Sequence, residues 1–281
     1  MGGILPFRNR VITGSILQPM TRKNVDQQWR SVWRNMVPPD TPLVMSYIDS
    51  ALQENEFNDD ASVPCIKDFS GFGTSWVSTI PGTVENPKFK KGVVNGYPAF
   101  RFDGVKQGAA MYKRDILTRM NAVTLVVAWC CRKLPAAGTE GSIFVVSTAS
   151  LGTSRFLVRL WSSGAVEVGG RRNDGDGYAA AVELLTKVAT DQWMVHSFEW
   201  DVANADVFTY LNGSSDGTNL NFQTAGAFPA TYSNDTPSIG YRLNPATYWA
   251  QIDVMGLVVF PYLNADVRKL FENMFRTRLG L

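Results

Sequence analysis

Trp193–Gly213 reads WMVHSFEWDVANADVFTYLNG, and this stretch decides the fold. Met194, His196, Phe198 and Trp200 fall on one face of a strand. Ser197, Glu199 and Asp201 fall on the other, the period of two of a half-buried strand. Asp201 to Asp206 breaks the run with small and polar residues, as a hairpin connection does. Residues 207–211 (VFTYL) are β-branched and aromatic, so they form the returning strand. Asn212-Gly213, a pair that tolerates positive φ, ends it. An antiparallel hairpin of this kind belongs in an all-β sandwich.

The chain on either side agrees. Upstream, residues 123–131 (VTLVVAWCC) form the most apolar run, expected to be buried on both faces or central in its sheet. Residues 43–51, 63–69, 98–103, 142–147, 155–161 and 165–169 read as further strands, and 93–96 as strand and turn. Within 155–161, Phe156, Val158 and Leu160 oppose Arg155, Leu157, Arg159 and Trp161. Residues 74–92 read as irregular and carry the basic KFKK. Downstream, 214–237 is loop-rich, 238–241 resumes a strand, and 249–260 (WAQIDVMGLVVF) is the last long one. Asn264 then caps a helix in which Val267, Leu270, Phe271, Met274 and Phe275 recur at helical spacing, with Gly280 as its stop. One apolar stripe means that this helix packs on the sandwich.

The totals narrow the chemistry. The chain has 281 residues, 45% of them apolar, with 24 Gly and 14 Pro, enough for a sizeable core joined by many turns. A net charge of +2 provides no strong field toward nucleic acid or membrane. No apolar stretch reaches the length of a membrane span, and no leader is read at the start. His196 is the single histidine, which rules out a histidine metal cluster. It lies on the apolar face of its strand and is read as a packed structural residue. Cys65, Cys130 and Cys131 are odd in number and are read as reduced and mostly buried.

Residues 1–42 differ from the rest. Arg8, Arg10, Arg22, Lys23, Arg30 and Arg34 stand against Asp26 and Asp40. Val25, Trp29, Val32, Trp33 and Met36 recur at helical spacing, with Asn24 as cap and Pro38-Pro39 as stop. The segment is read as a basic, partly extended arm with one short helix.

Several segments, in order, resemble the concanavalin A-like lectin/glucanase superfamily, in particular its laminin G-like branch. LVMSYIDSA with VPCIKDFSGFG is similar to the opening strand and its W-x-D-x-SG segment, with Ile66 in place of the usual aromatic. GYPAFRFDGV is similar to the G-x-P-x-v-x-FDG strand, and VTLVVAWCC to the central strand. QWMVHSFEWD with VFTYLNG is similar to the family hairpin. SIGYRLN, IDVMGLVVF and LNADVRKLFENMFRTRLGL are similar to the closing strands and helix. The resemblance covers roughly residues 43–281 and implies a two-sheet jelly roll. Such domains, often with added arms, are similar to ones in bacteriophage particles, as decoration, fibre or tail components.

The expectation is therefore an all-β chain: a concanavalin A-like jelly-roll β-sandwich over 43–281 with a C-terminal helix, preceded by an N-terminal arm over 1–42. The function expected is that of a bacteriophage virion structural protein, a capsid decoration or tail- or fibre-associated component made in the host cytoplasm. Its arm would anchor it to capsid or tail subunits and to other copies of itself through Ile4, Leu5, Phe7, Arg8, Arg10, Val11, Ile12, Trp29 and Trp33. The alternative is a carbohydrate- or receptor-binding module for a surface glycan. Tyr178, Tyr232, Tyr248 and Trp249 sit in or beside polar loops, where an aromatic face can stack on a sugar while polar neighbours pair with its hydroxyls. A neutral body argues against nucleic acid, and no membrane role is expected. The chain is expected not to be an enzyme. A glycan hydrolase would need paired carboxylates; Glu199 and Asp201 imitate the start of the glucanase strand, but position 203 is Ala. These two are read as solvent-facing strand-end residues. No cofactor is expected. Calcium has only Asp59 with Asp60 and Asp174 with Asp176 as candidate loop ligands.

Overall fold

The computed structural model describes residues 46–70, 75–78, 84–111, 121–148, 154–171, 182–217, 235–242 and 247–281. The strands are β1 (Ser46–Asp49), β2 (Ala61–Ser62), β3 (Cys65–Ile66), β4 (Trp76–Val77), β5 (Lys88–Val94), β6 (Tyr97–Asp103), β7 (Ala109–Met111), β8 (Ala122–Lys133), β9 (Glu140–Thr148), β10 (Ser154–Trp161), β11 (Val166–Gly170), β12 (Val182–Glu183), β13 (Trp193–Asp201), β14 (Asp206–Leu211), β15 (Ser214–Ser215), β16 (Asp235–Ile239) and β17 (Gln251–Phe260); one helix, α1 (Ala265–Leu279), follows. Nine strands form one sheet in the order β15-β14-β13-β8-β17-β6-β5-β2, with β1 also paired to β17. Eight form the other, in the order β12-β11-β10-β9-β16-β7-β4-β3. All strand pairings within both sheets are antiparallel.

The hairpin that opened the argument is β13–β14, with His196 opposite Leu211 and Asp201 opposite Asp206. Phe198 and Trp200 enter the core between the sheets beside Phe156, Val158 and Leu160 of β10. Two indoles link the layers. Trp200 Nε1 donates to the Gly169 carbonyl, and Trp76 Nε1 to Ser46 Oγ. β8 lies between β13 and β17 and is buried from Val123 to Cys131, as its unbroken apolar run requires.

β13 is buried on both faces rather than one, because α1 lies over it and β8. Glu199 is therefore not solvent-facing. Residues 43–51 do not form one strand in their described part: β1 gives way at Ser50 to a 3-10 turn capped by the Asp49 carboxylate, which accepts from Ala51 N. Only Cys65–Ile66 of 63–69 is strand. KFKK is not irregular but the start of β5, with Phe89 in the core.

α1 begins at the Asn264 cap, whose side chain accepts from Asp266 N and Val267 N. Phe271, Met274 and Phe275 are buried. Gly256 in β17 makes room for them: a Cβ there would lie 2.5 Å from the Phe275 ring and 3.0 Å from the Ile48 carbonyl oxygen. The three cysteines are free, with Cys130 and Cys131 buried and Cys65 half-buried. The arm, with Ile4, Leu5, Phe7, Arg8, Arg10, Val11, Ile12, Trp29 and Trp33, lies outside the described residues, and so does the expected boundary at 42–43.

Candidate functional site

Register brings five chain segments to one end of the sandwich. Gln251, the first residue of β17, pairs with Asp103 at the end of β6 and with Lys133 at the end of β8. In the other sheet, Glu140 at the start of β9 pairs with Trp161 at the end of β10. The segment Thr247–Ala250 crosses between them: Tyr248 O accepts from Ser142 N, and Ala250 N donates to Gly240 O. These pieces surround a cleft of about 930 Å³.

Aromatic rings and fixed charges line it. Trp249 stacks on the buried Tyr241 ring, with centroids 5.0 Å apart and planes 10° from parallel. Gly108 permits this, since a Cβ there would lie 2.2 Å from the Tyr241 ring. Arg242 holds its guanidinium 5.6 Å from the Tyr248 ring centroid, and Arg159 sits 4.7 Å from that of Trp161. Tyr248 is 40% exposed and has φ of 55°, a left-handed backbone that a bulky residue seldom adopts. Val105 is also exposed at the rim.

The acids of the cleft are engaged. Glu140 takes Arg159 Nη1, while Glu167 takes Arg159 Nε and Nη2 at 2.7 and 2.6 Å. Asp103 Oδ1 accepts from the backbone N–H groups of Val105, Lys106 and Gln107. Desolvation pushes the Asp103 carboxyl upward, but these N–H groups outweigh it and hold the pKa below the usual value, so Asp103 is charged at neutral pH.

Of the sequence candidates for sugar contact, Tyr248 and Trp249 meet in this cleft, whereas Tyr178 and Tyr232 lie outside the described residues. Arg159, Trp161 and Arg242 were missed. The strand alternation did place Arg159 and Trp161 on the face of β10 opposite Phe156, Val158 and Leu160, and that was the available signal. Glu199 and Asp201 do not line the cleft. Glu199, 6% exposed, binds Arg268 Nε at 3.1 Å beneath α1, and Asp201 accepts from Asn204. Asp59 and Asp60 both approach Lys90, at 3.7 and 3.4 Å, and Asp59 also accepts from Lys91 N. Asp174 and Asp176 lie outside the described residues. Among the described residues no group of three or more His, Cys, Asp or Glu could hold a metal ion.

His196 is wholly buried. Its Nδ1 accepts from Trp129 Nε1 at 3.1 Å, and burial pushes its pKa down to about 3. It is a neutral core residue, as its strand face implied.

No family model matches the chain, and no curated protein matches it. Its fold is similar to that of solved structures. Trypanosoma rangeli sialidase, as a covalent intermediate with 2,3-difluorosialic acid, is 12% identical over 91% of this chain and 39% of that one, with a TM-score of 0.57. The botulinum neurotoxin serotype D binding domain is 9% identical over 83% and 52%, with a TM-score of 0.54. A botulinum neurotoxin type C structure, a toxin whose cell entry depends on interaction with two ganglioside molecules, is 7% identical over 83% and 51%, at 0.54. The chain thus spans less than two thirds of the length of each. These likenesses agree with the two-sheet β-sandwich of the expected fold. They provide no support for the bacteriophage part of the resemblance. The expectation of a chain without enzymatic activity is corrected: sialidases are among the structures that share this fold, so the fold does not exclude catalysis. At this identity and coverage their support for catalysis is weak.

Proposed function

We propose that this chain is a carbohydrate-binding β-sandwich whose ligand seats in the cleft between Tyr248, Trp249 and Trp161. The observation that carries this reading is Tyr248. A tyrosine held at positive φ costs on the order of 1–3 kcal/mol, and strain of this kind collects at sites of function. Here it presents a 40% exposed ring at the mouth of a cleft lined by further indoles and hydrogen-bonding side chains. Sugars need that combination, an apolar face for the ring C–H groups and polar partners for the hydroxyls. The similarity to a toxin whose cell entry depends on gangliosides and to sialidases supports the same reading.

The test is a glycan array probed with the full chain, followed by titration of whatever binds. Tyr248→Gly removes the ring and suits the backbone, so it is expected to melt near the wild type while losing tenfold or more in affinity, about 1.4 kcal/mol. Unchanged affinity in Tyr248→Gly and in Trp249→Ala would remove the cleft as the site. The same glycans, incubated with the chain and checked for products, report any cleavage.

The virion role is a second reading, supported by the sequence of residues 1–42 and by the resemblance. A lectin-like body displayed on a particle by a basic, aromatic-bearing arm is compatible with sugar binding in the cleft.

A further inference from the structure

The cleft does not treat the two signs of charge alike. Its carboxylates are engaged within the protein: Glu140 by Arg159, and Asp103 by three backbone N–H groups. Arg159 is likewise held between Glu140 and Glu167. Two cations that line the cleft, Lys133 and Arg242, differ. Among the described residues, neither has a carboxylate within ion-pair distance. Lys133 is exposed. Arg242 is half-buried, and its Nε is shut from solvent with no acceptor. Its guanidinium is placed rather than loose. Arg242 N donates to Thr247 O and Thr247 N donates to Arg242 O, and the Tyr248 ring lies beside the charged group. A partly desolvated cation without a counter-ion is a standing cost. An anion arriving at its outer nitrogens would relieve that cost, and a planar carboxylate matches the fork of the guanidinium.

We infer that the cleft selects glycans bearing a carboxylate, with Arg242 pairing the acid while Tyr248 and Trp249 take the apolar face of the sugar. Lys133 adds a longer-range pull that salt weakens. This inference rests on the carbohydrate reading of the cleft and adds the class of sugar.

Matched pairs test it: trigalacturonic acid against its methyl ester, and sialyllactose against its methyl ester and against lactose. Each is titrated into the full chain at low and high salt. At least one free acid is expected to bind about tenfold or more tightly than its own ester, the worth of one charge-assisted hydrogen bond, with the difference shrinking at high salt. At high salt, where the pull of Lys133 is screened, Arg242→Gln should bring the acid down to the affinity of the ester. Arg242→Lys, which keeps the charge, should keep part of the preference. Thermal melting confirms that both variants are folded. Equal binding of acids and esters, or a preference that survives in folded Arg242→Gln at high salt, overturns the inference while leaving the carbohydrate reading standing. If no acid, ester or neutral glycan binds at all, the carbohydrate reading falls and this inference falls with it.

Discussion

His196 shows how much one side chain contributes when it is sealed in the core. Its Nδ1 is an acceptor for the Trp129 indole, so a proton there would break a hydrogen bond inside a cluster with Trp129 and Phe198. The folded pKa, about 3, lies below the ordinary value of roughly 6.5. Between those two values the unfolded chain binds a proton that the folded chain refuses, so stability falls as pH drops below about 6.5. From pH 7 to pH 5 this one group should cost about 2 kcal/mol. Urea unfolding of the wild type and of His196→Gln at both pH values checks it: the wild type should lose that much more than the variant. Equal losses would mean that His196 takes up a proton in the fold. The residue's burial was legible from its place on the apolar face of WMVHSFEW. The place of Arg242 was not, because which carboxylates come near it among the described residues depends on where Glu140 and Asp103 fall in space.

At the scale of elements, α1 converts a two-layer sandwich into one with a third, partial layer. Its stripe of Phe271, Met274 and Phe275, its Asn264 cap and its Gly280 stop could all be read from spacing. Its charged residues could not. Arg268 lies 3% exposed between Glu199 of β13 and Glu272 of its own helix, with its guanidinium 3.5 Å from the Tyr210 ring centroid. Arg278 pairs with the fully buried Asp49 at 2.7 Å. A strand that alternates apolar and polar residues reads as half-exposed; nothing local in it announces a helix that arrives more than sixty residues later with a matching charge. Removing one partner of such a cluster strands the others in the interior. Arg268→Met should therefore destabilise the chain by about 3–5 kcal/mol, while Arg268→Met combined with Glu199→Gln and Glu272→Gln should recover much of it. Chemical denaturation of the three proteins decides. A single variant as stable as the wild type would show that the ion cluster is not what clamps the helix. KFKK makes the same point for strands. Residues 74–92 read as irregular, yet the register with β6 places Phe89 opposite Phe100 and commits the run to the sheet.

For the whole molecule, the order of apolar runs and turns was enough to give a sandwich with a closing helix, because period and turn chemistry are local properties. The cleft is a property of topology. It gathers Asp103, Lys133, Glu140, Arg159, Trp161, Arg242 and Tyr248 from positions spread over more than a hundred residues, and no window of sequence contains more than two or three of them. Residues 1–42 carry the proposed particle anchor at this scale. Deleting residues 1–20 should leave a folded body with an unchanged melting temperature and unchanged glycan affinity, but one that no longer joins particles; normal incorporation of the truncated chain would end the anchoring idea. The cleft itself is tested most directly by a crystal structure of the chain with the tightest glycan from the array. The account predicts a sugar ring against Tyr248 and Trp249 with its carboxylate on Arg242. A glycan bound elsewhere, with the cleft empty, would contradict it.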